Sequence, residues 1–513
     1  MEKRQIAFII LSILFLIFWD YFYVKKQTVT NKGFQAFTSK KAEGKKEEIS
    51  NKQGLLVETP VSTFTVKTFD TDLYHVVLAQ ESGFFKKVDL KKFKKTLNVD
   101  QPIDILREGR IDIFDVVEIN GKPVRVTYSG SDYKDLQNEI SVNLYGKVDN
   151  VDIIKTITLS KNEYGGKIRH YVKNNDGNLN VNFYTVMSLP GTVFDTSVEA
   201  NPQPAFFYNT TFDMPSERSL KKGYLKENVL YAGYAEKYFG VFVVDESKKM
   251  KVESKFENGR SEIRIGILQA SLGANSFIER ELKYYAGPKE EGSLKKINDK
   301  LVASIDYGWF HFISKPLLVI MNFFNKFTNN YGISIILLTI LIKIVFFPLS
   351  HKSYKSMKEM QKLQPKMEEL RKKFANDREA FNREMMLLYR RHGVNPVSGC
   401  LPILVQIPFF IALYQALMYA IELRHAPFFG WIKDLSSYDP YYITPVLMGI
   451  TMLIQQVMTP SSGDPTQKKM MYILPVVFTF MFLKFPSGLV LYWLVNNLFS
   501  ILQQVYTLKT QKA

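Results

Sequence analysis

Lys343 stands within the apolar run Ile333–Leu349, ISIILLTILIKIVFFPL. A run of this length crosses most of a bilayer core about 30 Å thick, and an ammonium held there costs about 2.5–3.5 kcal/mol on insertion scales. Such a lysine either snorkels along its aliphatic stem to the nearer headgroups, or it faces a wet cavity or an anionic partner. The chemistry open to it is electrostatic: a fixed cation draws a carboxylate through an apolar medium. Other polar side chains reach similar depth. Thr339 lies one helical turn before Lys343 on the same face, and Gln406, Gln455 and Asn496 lie in three other apolar segments, joined by Gln456, Asn497, Gln503 and Gln504. Amides alone are explained by hydrogen bonds between helices. A cation among them needs water or an anion. The pattern therefore predicts a hydrophilic cavity open to one side of a membrane, closed on the other by the apolar stretches Ile335–Leu338 and Leu413–Ala420.

The elements that must hold these residues are visible as apolar segments: Ile6–Val24, Ile333–Leu349, Gly399–Ile421, Tyr441–Thr459, Met471–Phe485 and Gly488–Leu508. The first reads as an uncleaved anchor, because its apolar stretch is long and Lys25-Lys26-Gln27 follows where a small-residue cleavage site would stand. The last two are separated only by Pro486-Ser487, which predicts a tight hairpin. Residues 350–398 carry twelve Lys and Arg, whereas 422–440 carry only Arg424 and Lys433. By the positive-inside rule 350–398 is cytoplasmic, which puts both termini in the cytoplasm and residues 27–330 outside.

Within 350–398, Met357, Met360, Leu363, Met367, Leu370 and Phe374 recur at helical spacing, and Phe381, Met385 and Leu388 do so after a turn at Asn376-Asp377. A helical hairpin is expected, joined to the spans through short segments near Pro348 and Asn395-Pro396. Its seam methionines (Met357, Met360, Met367, Met385) either pack the two helices together or adapt to varied apolar partners. Its basic face suits anionic headgroups or ribosomal RNA phosphates.

Composition sets the rest. A mean hydropathy of −0.10 over the whole chain requires a large water-soluble part. The net charge of +17 next to apolar spans points to a membrane surface, with no DNA partner expected. The lone Cys400 excludes an intrachain disulfide and a thiolate metal cluster. Short alternating runs such as Pro123–Tyr128, Ile140–Tyr145 and Asp152–Leu159, punctuated by Asn120-Gly121, Asp176-Gly177 and Asn258-Gly259, predict an all-β sandwich. The aromatic segment Asp306–Asn330, interrupted by polar residues, fits a helix lying along the membrane plane.

Three segments carry a resemblance. Asn395–Gln415 (NPVSGCLPILVQIPFFIALYQ), Ala426–Tyr442 (APFFGWIKDLSSYDPYY) and Phe485–Tyr492 (FPSGLVLY) are similar to the signature of the YidC/Oxa/Alb family of membrane protein insertases. The outer β-domain and N-terminal anchor resemble the family's Gram-negative branch. The resemblance implies an insertase of the bacterial inner membrane, acting on nascent membrane proteins alone or beside the Sec translocon, with no ATP, no cofactor, no metal and no enzymatic activity. It also implies that Lys343 stands where the family carries an intramembrane arginine, which keeps the charge but loses the planar fork. Trp493 stands where a substrate-touching tyrosine is common.

The expected architecture is thus a multi-domain membrane protein. It divides into an anchor (1–26), a linker (27–54), a periplasmic β-sandwich (55–300), an interfacial helix (305–330), a span (331–349), the cytoplasmic hairpin (350–398), four further spans (399–508) and a short tail (509–513). The expected groove comprises Lys343, Thr339, Gln406, Gln455, Asn496 and Trp493. The competing function is a secondary transporter with an intramembrane charged site, which would normally show paired repeats; none is visible. A sugar enzyme built on the outer domain would need carboxylates gathered in a cleft.

Overall fold

The computed structural model describes residues 65–107, 110–190, 202–257, 259–375, 377–393, 401–458 and 465–510. The expected anchor and linker, Cys400, Asn258-Gly259 in part and Asn395-Pro396 lie outside the described residues.

Strict alternation builds the β-domain. In the strand Val151–Ser160, inward and outward positions alternate without a break, and Asp112–Ile119 does the same. Eighteen strands result among the described residues, β1 (Val66–Asp70) through β18 (Phe277–Pro288), in a four-stranded sheet of β1, β2 (Tyr74–Ala79), β3 (Phe84–Thr96) and β4 (Val99–Asp104) and a fourteen-stranded antiparallel sheet. The large sheet folds over at β14 (Tyr224–Ala235). The first half of this strand pairs with β16 (Met250–Glu257), its second half with β15 (Phe239–Val244), and the register shifts between Lys226 and Val229, where Asn228 takes a positive φ of 57°. A bulge of this kind lets one sheet supply both layers of a sandwich.

The run Pro123–Tyr128, read from the sequence as one strand, is two. β6 (Lys122–Arg125) ends the sheet at one edge and β7 (Tyr128–Asp135) ends it at the other. The switch falls at Val126–Thr127: the Val126 N–H still bonds the Asp115 carbonyl, and the Tyr128 N–H bonds the carbonyl of Glu81, in the turn between the second and third strands of the smaller sheet. Asn120-Gly121 before β6 forms the hairpin turn the dipeptide predicts, with φ values of 49° and 82°.

Alternation also drives charge inward. Asp115 on β5 (Asp112–Ile119) and Lys155 on β9 (Val151–Ser160) both fall on core-facing positions, and each is 0% exposed. They pair at 2.7 Å. Asp115 also accepts hydrogen bonds from Tyr128 at 2.7 Å and Thr185 at 2.8 Å. This network ties strands from the two ends of the folded sheet to one carboxylate.

The helical part follows. α1 (Glu217–Lys221) and α2 (Glu291–Ile297) belong to the β-domain. α3 (His311–Thr328) turns Ser314, Leu317, Leu318 and Met321 inward and leaves Trp309 (just before it), Phe312, Phe323 and Phe327 exposed. Two adjacent asparagines make the corner into α4 (Tyr331–Lys362). Asn329 ends α3 in the left-handed region, and the Asn330 side chain accepts the Ile333 N–H as an N-cap.

α4 corrects the expected boundary at Pro348. It runs 32 residues without interruption through that proline. At about 1.5 Å per residue it is about 48 Å long, against a bilayer core of about 30 Å. The first arm of the hairpin is therefore a continuation of the helix that carries Lys343. The break comes instead at Leu363, where α5 (Gln364–Lys373) opens with a proline in its first turn. α6 (Arg378–Arg391) follows, capped by the Asp377 side chain. α7 (Leu401–Tyr419), α8 (Ile443–Met458), α9 (Pro465–Phe482) and α10 (Ser487–Thr510) complete the bundle. α9 and α10 are joined by residues 483–486, a four-residue turn in place of the expected Pro486-Ser487 pair because α9 ends at Phe482 and Ser487 already belongs to α10, and Phe478 and Phe482 of α9 close on Trp493 of α10.

The motif segment Ala426–Tyr442 owes its shape to two carboxylates. Asp434 accepts from the His425 and Ser436 N–H groups and from the Ser436 and Ser437 hydroxyls. Asp439 accepts from the Tyr441 and Thr444 N–H groups and the Thr444 hydroxyl at the start of α8. Both hold the loop together.

Candidate functional site

On α4, Ile344 and Val345 are 64% and 66% exposed, whereas Lys343 is 8% and Thr339 0% exposed. The helix thus presents an apolar face outward and turns the lysine toward α10. Lys343 Nζ donates to Ser500 Oγ at 2.7 Å. Ser500 Oγ in turn donates to the Asn496 carbonyl at 2.8 Å, one turn earlier on α10. The Tyr354 hydroxyl reaches the Ser500 carbonyl at 3.4 Å. Among the described residues no carboxylate lies within ion-pair distance of Lys343. A buried cation whose partner is a neutral hydroxyl keeps its charge uncompensated, and so keeps its attraction for an incoming anion.

Two of the other expected groove residues, Gln406 and Asn496, meet on α10. Gln406 of α7 donates to Asn496 Oδ1 at 2.6 Å. Asn497 donates to Thr451 of α8 at 3.2 Å, and Gln504 to the Met458 carbonyl at 2.8 Å. Lys343, Gln406 and Asn496 are therefore connected through α10. Thr339 shares the face of Lys343 as its spacing predicts, but its hydroxyl is satisfied by the Ile335 carbonyl at 2.7 Å. Gln455 is half-buried on α8. Trp493 sits among Phe410, Phe478 and Phe482, with ring centroids 4.7, 5.8 and 5.1 Å away. Ser500, which the sequence reading passed over, is the lysine's partner. The signal was available: Asn496, Ser500 and Gln504 recur at intervals of four on one face of the last helix.

The hairpin methionines face inward. Met357 and Met367 are buried, and Met360 and Met385 pack against a cluster of Leu363, Met367 and Tyr389. The Tyr389 hydroxyl donates to Met367 Sδ at 3.0 Å. Among the described residues no three His, Cys, Asp or Glu side chains converge as metal donors.

Outward apolar faces recur on α8 (Val446, Ile450, Val457), α9 (Ile473, Phe480) and α10 (Leu498, Leu502). Among the described residues one helix, α4, is long and apolar enough to cross a membrane; with a polar seam between its helices, the fold is a helical bundle of membrane-spanning character joined to a β-sandwich. Comparison with known proteins gives the family. Residues 67–320 match the family model described as YidC periplasmic domain, and residues 323–513 the model described as 60Kd inner membrane protein. The membrane protein insertase YidC of Geobacter sulfurreducens is 42% identical over 461 residues, covering 85% of each chain. That of Geotalea daltonii is 39% identical over 536 residues, covering 100% of both. The chain belongs to the YidC family of membrane protein insertases.

Among solved structures, an active YidC insertase with its first transmembrane domain resolved covers 87% of this chain and 93% of its own at 22% identity, with a TM-score of 0.39. A galactose mutarotase-like protein from Lactobacillus casei covers 43% of this chain and 100% of its own at 7% identity, with a TM-score of 0.28.

Proposed function

We propose that the chain inserts nascent membrane proteins by drawing their acidic residues toward Lys343 in a groove bordered by α4, α7 and α10. One observation carries this reading: Lys343 is buried against a serine, with its charge left for a substrate. The exposed apolar flanks of the same helices suit the hydrophobic part of the incoming segment. In this reading the spans number six, residues 27–330 face the periplasm, both termini and the hairpin lie in the cytoplasm, and α3 lies along the outer membrane surface with its exposed phenylalanines in lipid. The basic hairpin meets the substrate first, at the ribosome or beside the Sec translocon. Trp493 supplies an aromatic surface within the groove.

Lys343→Ala is expected to slow insertion of substrates with negatively charged translocated tails by at least about tenfold, since loss of one charge-assisted contact is worth about 1.5–3 kcal/mol. Lys343→Arg is expected to retain activity. The assay is protease protection of radiolabelled substrates in vesicles. Normal insertion of every substrate by Lys343→Ala would remove the charge from the mechanism.

A further inference from the structure

A cavity of about 350 Å³ lies where the β-domain meets the helical bundle, within the range of ligand pockets. Strand β3 (Phe84–Thr96), the turn before β10 (Gly165–Asn174) and α2 border it from the β-domain. The first residue of α4 and the turn after α7 border it from the bundle. Its lining combines both charges: Lys92 and Lys296 against Glu163, Glu290 and Glu422. Among the described residues the side chains of Lys92, Lys296 and Glu163 have no hydrogen-bond or ion-pair partner. Glu290 accepts from the Ser293 hydroxyl at 2.9 Å, and Glu422 from Asn322 at 3.4 Å. A second observation is independent of these charges. Tyr164 lines the cavity and is 6% exposed, and its hydroxyl has no partner. Burial, and then the Glu290 charge, push that hydroxyl up to about 12, so it remains a donor.

We infer that this cavity binds a zwitterion carrying a phosphate and a primary ammonium, the chemistry of a phosphatidylethanolamine headgroup. The phosphate meets Lys92, Lys296 and the orphaned Tyr164 hydroxyl. The ammonium, with three hydrogens to donate, meets Glu163 and Glu290. Three carboxylates against two lysines disfavour a purely anionic headgroup. A choline headgroup has no N–H to give the carboxylates. The lipid source follows from position: Tyr331 opens the apolar helix α4 here and Glu422 follows the end of α7, so the cavity stands at the level where the apolar helices end. This rests on the membrane-spanning reading above, but not on the role of Lys343.

The test is native mass spectrometry of the full-length protein offered equal amounts of phosphatidylethanolamine, phosphatidylcholine and phosphatidylglycerol. One phosphatidylethanolamine per chain is expected to survive activation that strips the other two. The double variant Lys92→Gln, Lys296→Gln should lower that retention at least about tenfold. Glu163→Gln should erase the preference over phosphatidylcholine, and Tyr164→Phe should weaken retention without altering the preference. Displacement by soluble glycerophosphoethanolamine would assign binding to the headgroup alone; persistence would assign the acyl chains a share. Both lysines are exposed, so the double variant is expected to fold, and its melting curve checks this. Equal retention of all three lipids, or undiminished retention by the double variant, overturns the inference. Insertion assays on the same samples separate that result from failure of the insertase reading.

Discussion

Lys155 and Asp115 show what alternation does to charge. Each occupies an inward position because its strand permits no other, and each is tolerated because the other is 2.7 Å away. Removing one partner of a buried pair costs about 3–5 kcal/mol, whereas replacing both by apolar residues is often neutral. Lys155→Met is therefore expected to destabilise the β-domain by about that amount; adding Asp115→Leu removes the unpaired charge but strips the buried Tyr128 and Thr185 hydroxyls of their acceptor, so recovery is expected only when Tyr128→Phe and Thr185→Val are added as well; urea unfolding followed by the strand signal in circular dichroism measures each. His170 lies in the same core, with neither ring nitrogen hydrogen-bonded. Burial is the main force holding its folded pKa down at about 3; the nearby Asp115 charge opposes this and Lys155 adds to it. The unfolded imidazole titrates near 6.5. Between those values the unfolded chain binds a proton that the folded chain does not, so the stability present above pH 6.5 is lost as pH falls toward 3. The melting temperature of the β-domain should drop across pH 6.5 to 4, and His170→Phe should flatten that slope. An unchanged slope would place the titration elsewhere.

Among the elements, the hairpin formed by the end of α4, α5 and α6 closes on one apolar seam around Leu363, Met367 and Tyr389. Its methionines recur at helical spacing, which suits both an internal seam and an adaptable surface. The structure buries Met357 and Met367 and packs Met360 and Met385 against Tyr389 and its neighbours, so packing is the role the geometry supports. Replacing Met360, Met367 and Met385 by leucine keeps similar volume and is expected to cost less than about 1.5 kcal/mol. Helix content should be unchanged, and photo-crosslinking to several unrelated nascent substrates should keep its breadth. A narrowed set of crosslinked substrates would show that methionine flexibility matters beyond packing. Because α4 continues unbroken past Pro348 to Lys362, the first arm of the hairpin and Lys343 lie on one helix.

At the scale of the whole molecule, the β-domain is seated on the bundle rather than tethered beside it. Arg424 donates to the Lys94 and Lys95 carbonyls at 2.8 and 3.2 Å. Lys315 of α3 pairs with Glu291 at 3.1 Å, and Ile421, 4% exposed, packs into the β-domain core. The polar seam nevertheless lies in α4, α7, α8 and α10. A chain lacking 67–288 but retaining α3 is expected to insert substrates, with Ile421→Ser improving its solubility by removing newly exposed apolar surface. Loss of insertion by a stably expressed truncated chain would tie the β-domain to the mechanism.

The sequence alone determined what is local and periodic. Period-two alternation marked the strands, long apolar runs marked the helices of the bundle, Asn120-Gly121 marked its hairpin turn, and contiguous motifs marked the family. A lysine within an apolar run is unusual on energetic grounds alone, so Lys343 was visible before any fold was known. Only the tertiary structure decided what depends on distant partners. Ser500 became the lysine's partner because α10 packs on α4, 157 residues away in sequence. Pro123–Tyr128 became two strands because the folded sheet brings its two edges to the same turn. Pro348 failed to end α4, since a proline weakens a helix locally without dictating whether the surrounding residues restore it. The charged cavity at Tyr164 drew its lining from segments hundreds of residues apart, a juxtaposition that no spacing rule along the chain encodes.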